Sequence, residues 1–225
     1  MRRPRSFCVR CTEQGVMAQE GKEDRRMILL EGNIGAGKTT IGRVLAASDA
    51  FGFIEEPTAT WRKGFAANML DLFYQDPSRW AFTFQIGAFI TRAKTWSEVL
   101  AMTDHSRVIL ERSIFCDRHV FAENCYRTGL MSLTEYQLYQ GMWDFLVSNY
   151  CVQPDRILYL RTPAEICLQR IRARGRSEEG GIALDYLLQL ERLHDEWLLK
   201  EPRAVVLDGE RRWTAAEIMA ELGEI

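Results

Sequence analysis

Residues 27–47 read Met27-Ile28-Leu29-Leu30-Glu31-Gly32-Asn33-Ile34-Gly35-Ala36-Gly37-Lys38-Thr39-Thr40-Ile41-Gly42-Arg43-Val44-Leu45-Ala46-Ala47. Gly32 to Thr39 fit the spacing G-x-x-x-x-G-K-[ST] of a phosphate-binding loop. The flanks fit it too. Met27–Glu31 is a short apolar run of strand character, and Thr40–Ala47 is a helical stretch. A strand that feeds a glycine-rich turn opening a helix aims several backbone N–H groups at one point, and the helix N-terminus adds partial positive charge, so an anion binds there. Gly32, Asn33, Ile34, Gly35, Ala36, Gly37, Lys38, Thr39 and Thr40 are therefore the candidate phosphate cradle. Lys38 is expected to reach the β- and γ-phosphates of ATP, and Thr39 to place its hydroxyl on Mg²⁺.

From Met27 onward strands and helices alternate. The expected strands are 27–31, 51–55, 107–111, 156–160 and 203–207, each short and apolar, as strands buried on both faces should be. Long helices are expected at 78–103, 132–150 and 181–200. This pattern predicts an α/β fold with a five-stranded parallel sheet flanked by helices on both sides. In such sheets ligands bind beyond the carboxyl ends of the strands. That rule puts the phosphate loop, Glu55-Glu56-Pro57 and Glu111-Arg112-Ser113 in one cleft.

Bulk properties narrow the function classes. The chain has 225 residues, 47% hydrophobic and 27% charged, and a net charge of −2, so no global basic field gathers nucleic acid. No apolar run approaches the roughly 20 residues that a membrane span needs. The six cysteines (Cys8, Cys11, Cys116, Cys125, Cys151, Cys167) lack the density of a disulfide scaffold and suit a reducing compartment. Cys8 and Cys11 have C-x-x-C spacing with no second pair beside them, which argues against a metal site. Residues 1–26 carry seven Lys/Arg and four Asp/Glu, a net of +3, with no hydrophobic periodicity. They are expected to be a disordered extension or a transit peptide, although Glu13, Glu20, Glu23 and Asp24 are unusual for the latter. The working domain is 27–225. A cytoplasmic location is expected, or a mitochondrial one should residues 1–26 be a transit peptide.

Phosphoryl transfer to a hydroxyl needs a carboxylate for the hydroxyl, cations on the transferring group and exclusion of water. Glu56 is the candidate base. Arg112 is placed to hold the Glu56 carboxylate or the acceptor oxygen. Glu111 reads either as a water-mediated Mg²⁺ ligand or as a cap for the following helix. The run Arg170-Ile171-Arg172-Ala173-Arg174-Gly175-Arg176 reads as an arginine lid over phosphates, or as a basic helix end capped by Gly175. Gln85, Ala88 and Arg92 are spaced i, i+3, i+7 and share one face of a helix that is otherwise apolar around them, so the two polar groups need partners. His105 and His194 show no triad or metal spacing, and His119 reads as packing.

Taken together, these motifs resemble those of the deoxynucleoside kinases, the group of deoxycytidine/deoxyguanosine kinases, mitochondrial thymidine kinase and insect multisubstrate kinases. The resemblance runs over about residues 27–209: Glu31–Thr39, Glu56-Pro57-Thr58-Ala59-Thr60-Trp61, Tyr74-Gln75-Asp76-Pro77 followed by Trp80–Gln85, Glu111–Arg118, and Arg174–Glu179. It implies a P-loop nucleoside kinase fold with an arginine lid. It further implies that Glu56 accepts the proton of a sugar 5′-hydroxyl, that Arg112 contacts Glu56 and the 5′-oxygen, and that Tyr74 and Glu179 hold the 3′-hydroxyl. By the same resemblance Gln85 makes a paired hydrogen bond to the base edge, Trp61, Phe84 and Phe115 pack around the base, and Arg170, Arg174 and Arg176 serve the phosphates. A homodimer built through helices is implied as well.

Family members that favour thymidine tend to have bulkier apolar residues at the positions of Ala88 and Arg92 and no acid at that of Asp117, so the trio Ala88, Arg92 and Asp117 resembles the deoxycytidine/purine type; an Arg–Asp pair beside the base would also crowd the 5-methyl of thymine. Two other readings compete. A nucleoside monophosphate kinase of the thymidylate kinase type would need a free arginine pair for its acceptor. A non-catalytic relative, like the accessory subunit of respiratory complex I that shares this fold, would be expected to have lost Lys38, Thr39, Glu56, Arg112 or the lid arginines.

Overall fold

Every side chain in the middle of β1 (Arg26–Glu31) is shielded from water, and the reason is visible in how they alternate. Met27 and Leu29 point into one core, Ile28 and Leu30 into the other. In the computed structural model, which describes residues 25–48 and 50–223, the same alternation recurs in β3 (Arg107–Glu111) and β4 (Arg156–Arg161). A strand buried on both faces has no polar side to present, which is why these segments read as continuous apolar runs.

With β2 (Gly52–Ile54) and β5 (Ala204–Asp208), the strands form one sheet in the order β2-β3-β1-β4-β5. All pairings are parallel, with Leu29 opposite Leu110 on one side and Ile157 on the other. Parallel neighbours require crossovers, and helices supply them. One core holds α1 (Lys38–Ala46), α8 (Ala164–Arg174), α9 (Leu184–Leu198) and α10 (Ala215–Leu222). The other holds α2 (Thr58–Lys63), α3 (Met69–Gln75), α4 (Pro77–Met102) and α7 (Leu133–Tyr150). Between β3 and α7 the chain runs through α5 (Ile114–Cys116), a π-helical stretch (Asp117–Ala122) and α6 (Glu123–Arg127).

The chain leaves β1 through α1 toward one face and leaves β3 through α5 to α7 toward the other. Adjacent strands whose connections diverge open a crevice at their carboxyl ends. Gly32 and Arg112, the residues that follow β1 and β3, stand at this crevice.

Differences from the expected elements are small and have local causes. β1 begins at Arg26, inside the expected extension, because its N–H bonds the Ser106 carbonyl. β2 is an edge strand paired only over Gly52–Ile54. α7 starts at Leu133 because Ser132 and Glu135 form a reciprocal cap. The expectations for Cys8, Cys11 and the rest of 1–24 lie outside the described residues.

Candidate active site

The loop after β1 is packed so closely that its glycines are dictated twice. At Gly35, φ is +79°, and a Cβ there would lie 2.6 Å from the Cys167 carbonyl oxygen. An alanine would be strained in torsion and in contact alike. The loop binds itself and its neighbours. Asn33 donates through Nδ2 to the Leu187 carbonyl (2.9 Å) and accepts from Ile34 N–H (2.8 Å). Lys38 Nζ lies across the loop, donating to the carbonyls of Gly32 (3.1 Å) and Asn33 (2.8 Å). Thr39 donates its hydroxyl to Glu111 Oε1 at 2.7 Å, joining the start of α1 to the end of β3. A hydroxyl beside a carboxylate is an all-oxygen donor set that fits Mg²⁺.

Glu56, just beyond β2, is the hub of a buried network of ion pairs. Its Oε1 receives Arg92 Nη2 at 2.6 Å and Arg112 Nε at 3.0 Å. Burial alone would raise this carboxyl, but the charges of Arg112, Arg92 and Lys38 outweigh it and hold it at about 2. Glu56 is therefore a carboxylate at any working pH. Arg92 also grips both oxygens of Asp117 through Nη1, at 2.9 Å each. Burial pushes Asp117 up to about 6 against the pull of Arg92, so the pair stays ionic at neutral pH. The link between Arg92 and Glu56 was not expected from sequence.

Arg112 sits at φ +61°, the one non-glycine among the described residues with a positive φ. The left-handed turn swings its side chain back under the phosphate loop, where Nη2 donates to the Gly32 carbonyl (3.1 Å). Residues held in this conformation cluster at functional sites.

These groups border a cleft of about 500 Å³. Trp61, Phe73, Phe84 and Ala88 make its apolar end, with Phe73 stacked on Phe84 at 5.0 Å and Trp61 edge-on to it at 5.7 Å. Trp61 is fixed by its indole N–H on Thr91 Oγ1 (2.8 Å). Gln85 lies in the cleft wall. Its amide has only a long 4.0 Å contact to Cys125 Sγ, so its hydrogen-bonding capacity is open to a ligand. Tyr74, Thr39, Thr40, Ile34, Gly35, Gly37 and Glu111 also line the cleft.

Phe115 does not. Its ring packs against Trp96 and Trp143, so the expectation that it touches the base is corrected: it is core behind the cleft. Gly32, Asn33 and Ala36 shape the loop from behind without lining the cleft.

The arginine run is a helix end that also reaches the cleft. α8 ends at Arg174 with Gly175 in the left-handed region, yet Arg170, Arg174 and Arg176 all border the cleft. Arg170 is already committed, to the carbonyls of Ala36 (2.7 Å) and Gly209 (2.9 Å). Arg174 and Arg176 clamp the buried Glu179 at 2.6 and 3.2 Å. Glu179 is thus held by these two arginines. Arg172 is exposed and away from the cleft.

Sequence reasoning missed Leu70, Phe73, Phe121 and Tyr186 in the cleft wall. Phe121 carried one signal, since it stands four residues after Asp117 on the same helical run. Tyr186 comes from α9, with no motif around it.

Glu31 closes β1 and opens the phosphate-loop motif, and the sequence assigns it no role. It is fully buried and neither carboxyl oxygen has a hydrogen-bond partner. Burial raises it to about 7, against the pull of the Arg112 and Lys38 charges and of Ser113 close by. A raised carboxyl is protonated in the folded chain where the unfolded chain is ionised, so stability falls as pH rises from about 4.5 to about 7. Glu31→Gln should remove that slope. The variant should melt several degrees above wild type at about pH 8 and converge with it near pH 4.5, a difference on the order of 3 kcal/mol at most. A melting difference that stays constant with pH would show that Glu31 does not titrate this way.

Comparison with known proteins fits this geometry. The deoxynucleoside kinase family model matches residues 28–224. The chain is 38% identical over 176 residues to the probable deoxycytidine kinase of fowlpox virus (strain NVSL), covering 78% of this chain and 73% of that protein. It is 36% identical over 202 residues to deoxycytidine kinase 2 of Gallus gallus, covering 80% and 76%. It is also 36% identical over 188 residues to the mitochondrial thymidine kinase 2 of Homo sapiens, covering 81% and 68%. No helix among the described residues is long and apolar enough to cross a membrane.

Proposed function

The chain belongs to the deoxynucleoside kinase family and is a deoxynucleoside kinase, and from that premise we propose that it transfers the γ-phosphoryl group of ATP to the 5′-hydroxyl of deoxycytidine, deoxyadenosine or deoxyguanosine in preference to thymidine, as a step of nucleotide salvage. The observation that carries the preference is the buried Arg92–Asp117 pair beside Gln85 at the apolar end of the cleft. Relatives named for deoxycytidine and for thymidine stand at similar identity, so the base is argued from this site.

Glu56 receives the 5′-hydroxyl, and Arg112 holds Glu56 and the oxygen it activates. Trp61 and Phe84 pack around the base while Gln85 reads its edge. Tyr74 and Glu179 take the 3′-hydroxyl, Glu179 exchanging its arginine partners for the sugar. The freed Arg174 and Arg176 then turn to the phosphates. Arg170 acts differently from its lid neighbours: with its guanidinium on Ala36 and Gly209 carbonyls, it holds the phosphate loop in shape. Thr39 and Glu111 would hold Mg²⁺, which neutralises charge on the phosphates when bound.

Arg92 has both ends engaged, on Glu56 and on Asp117. The acceptor end of the cleft therefore has no free arginine pair among the described residues, which favours a neutral nucleoside over a monophosphate acceptor. The intact set Lys38, Thr39, Glu56 and Arg112 argues against a non-catalytic relative. A homodimer through α4 and α7 is supported by exposed apolar residues on them, Ile90, Leu133 and Leu138. The cytoplasm is the proposed location, or the mitochondrion should residues 1–26 be a transit peptide.

The deciding experiment is ATP- and Mg²⁺-dependent phosphorylation of the four natural deoxynucleosides at matched concentration. Highest kcat/KM with thymidine would overturn the preference. Arg92→Met with Asp117→Ala should raise the thymidine-to-deoxycytidine ratio of kcat/KM by about tenfold or more, since each buried charge contact is worth that much or more in discrimination. Total turnover should fall at the same time, because Arg92 also holds Glu56. An unchanged ratio would place specificity in other residues.

A further inference from the structure

Behind Arg112, on the side away from the cleft, lies a buried polar cluster that the reaction as described does not use: Glu31, Cys116 and His194, whose ligating atoms all lie within 4.8 Å of one another. Cys116 and His194 are wholly shielded from solvent. Arg112 Nη1 lies 3.2 Å from Cys116 Sγ, Cys116 Sγ lies 3.5 Å from His194 Nε2, and His194 Nδ1 lies 2.7 Å from the Leu190 carbonyl oxygen.

The donors and acceptors along this line have a single consistent direction. A carbonyl only accepts, so His194 Nδ1 carries the hydrogen. Burial drives the ring pKa down to about 3, with Arg112 adding to the effect, so the ring is neutral and Nε2 holds a lone pair. A guanidinium only donates, so Cys116 Sγ accepts from Arg112 and its own S–H points to His194 Nε2. Burial also keeps Cys116 a thiol, pushing it well above the ordinary cysteine range.

We propose that Cys116 and His194 are positioning residues: a one-directional hydrogen-bond chain, from the Arg112 guanidinium through the Cys116 thiol to the His194 ring, aims Arg112 at Glu56. The guanidinium is then gripped on every side. Nε meets Glu56, Nη2 the Gly32 carbonyl, Nη1 the thiol, and the Phe121 ring lies 4.7 Å from Cζ. Each grip matters because a competitor is close. The Glu31 carboxyl has no partner of its own and is near enough to act on Arg112. Without the thiol, Nη1 is free to turn to Glu31, and the Nε contact to Glu56 turns with it.

A bound metal is the rival use of the same three groups. The guanidinium on Cys116 and the nearby Lys38 charge oppose a cation there.

The inference rests on the assignment of Glu56 and Arg112 to phosphoryl transfer. The test uses the full chain, ATP with Mg²⁺, and whichever deoxynucleoside the wild type turns over fastest. That assay on wild type tests the functional assignment, and the ratios among variants test the positioning role, so the two fail separately. Cys116→Ala should lower kcat about tenfold with both KM values within about twofold, while Cys116→Ser, which donates and accepts in the same way, should stay within about twofold of wild type. His194→Phe, which keeps the ring stack on Tyr159, should repeat the kcat loss and serves if the alanine variant does not fold. Nitrogen chemical shifts of His194 should show a neutral ring with the hydrogen on Nδ1, and the Nε2 signal should move in Cys116→Ala. The proposal is overturned if Cys116→Ala retains wild-type kcat, if Cys116→Ser loses as much as Cys116→Ala at an unchanged melting temperature, or if the purified protein carries stoichiometric zinc.

Discussion

Alanine in place of Lys38 is expected to lower turnover by about 10³-fold while the protein still folds. The expectation follows from where the ammonium lies. Lys38 is 5% exposed, and among the described residues its ammonium contacts no carboxylate and bonds the carbonyls of Gly32 and Asn33. Burial pushes its pKa down to about 8, and the Arg112 charge adds to the effect. A cation held in so unfavourable a state is poised for an anionic ligand, since phosphates restore the counter-charge that the loop lacks. Removing it should cost little in the empty protein. The Gly32 carbonyl keeps Arg112 Nη2, and Asn33 keeps its own side-chain tie to Leu187. The melting temperature should therefore move by only a few degrees, roughly the effect of 1 kcal/mol in a chain of this size. Steady-state kinetics beside a thermal melt separates the outcomes. A folded variant that keeps more than about a tenth of wild-type turnover would mean that the charge on the transferring phosphoryl comes from elsewhere, with the lid arginines first to examine.

What was legible in the sequence depended on how local each determinant is. The strand, loop and helix over Arg26–Ala46 are specified by contiguous residues: an apolar run, glycines where backbone must turn, then helix formers. The helical period alone put Gln85, Ala88 and Arg92 on one face, and all three line the cleft. Phe115 went wrong for a physical reason. It lies in the short α5, two residues before the π-helical stretch begins at Asp117; the wider turns beyond it bring Asp117 and Phe121 to the cleft, while Phe115 faces Trp96 and Trp143. Phe73 and Tyr186 reach the cleft only because α3 and α9 pack there, which no spacing within either helix encodes. The contact from Arg92 to Glu56 spans 36 positions and joins α4 to the segment after β2, which no local pattern encodes. Glu31 looked like an ordinary strand end until the sheet and helices buried it. Arg170 looked like its lid neighbours, and only the positions of Ala36 and Gly209 distinguish it.

Glutamine at position 56 should reduce kcat by about 10³-fold with the nucleoside KM within a few-fold of wild type. Glutamine rather than alanine isolates the chemistry. Oε1 of Glu56 accepts from both Arg92 and Arg112. Alanine would leave two buried guanidinium groups facing a void, and the loss would mix misplacement with chemistry. Glutamine keeps an oxygen for both and removes only the charge. Arg92 still has Asp117, while Arg112 still has the Gly32 carbonyl and Cys116. The low pKa of about 2 makes Glu56 a weak base, which constrains how it acts. In a loose, largely dissociative transfer the attacking hydroxyl keeps its proton until bonding to phosphorus is well advanced, so the carboxylate is needed to orient the hydroxyl and to receive the proton late. A weak base suits that order of events better than early abstraction. It also predicts that wild-type kcat shows no acid limb from Glu56 between about pH 5 and pH 8, because the group is ionised throughout. Turnover of Glu56→Gln within about tenfold of wild type would show instead that the carboxylate serves the arginines and that the hydroxyl needs no base here.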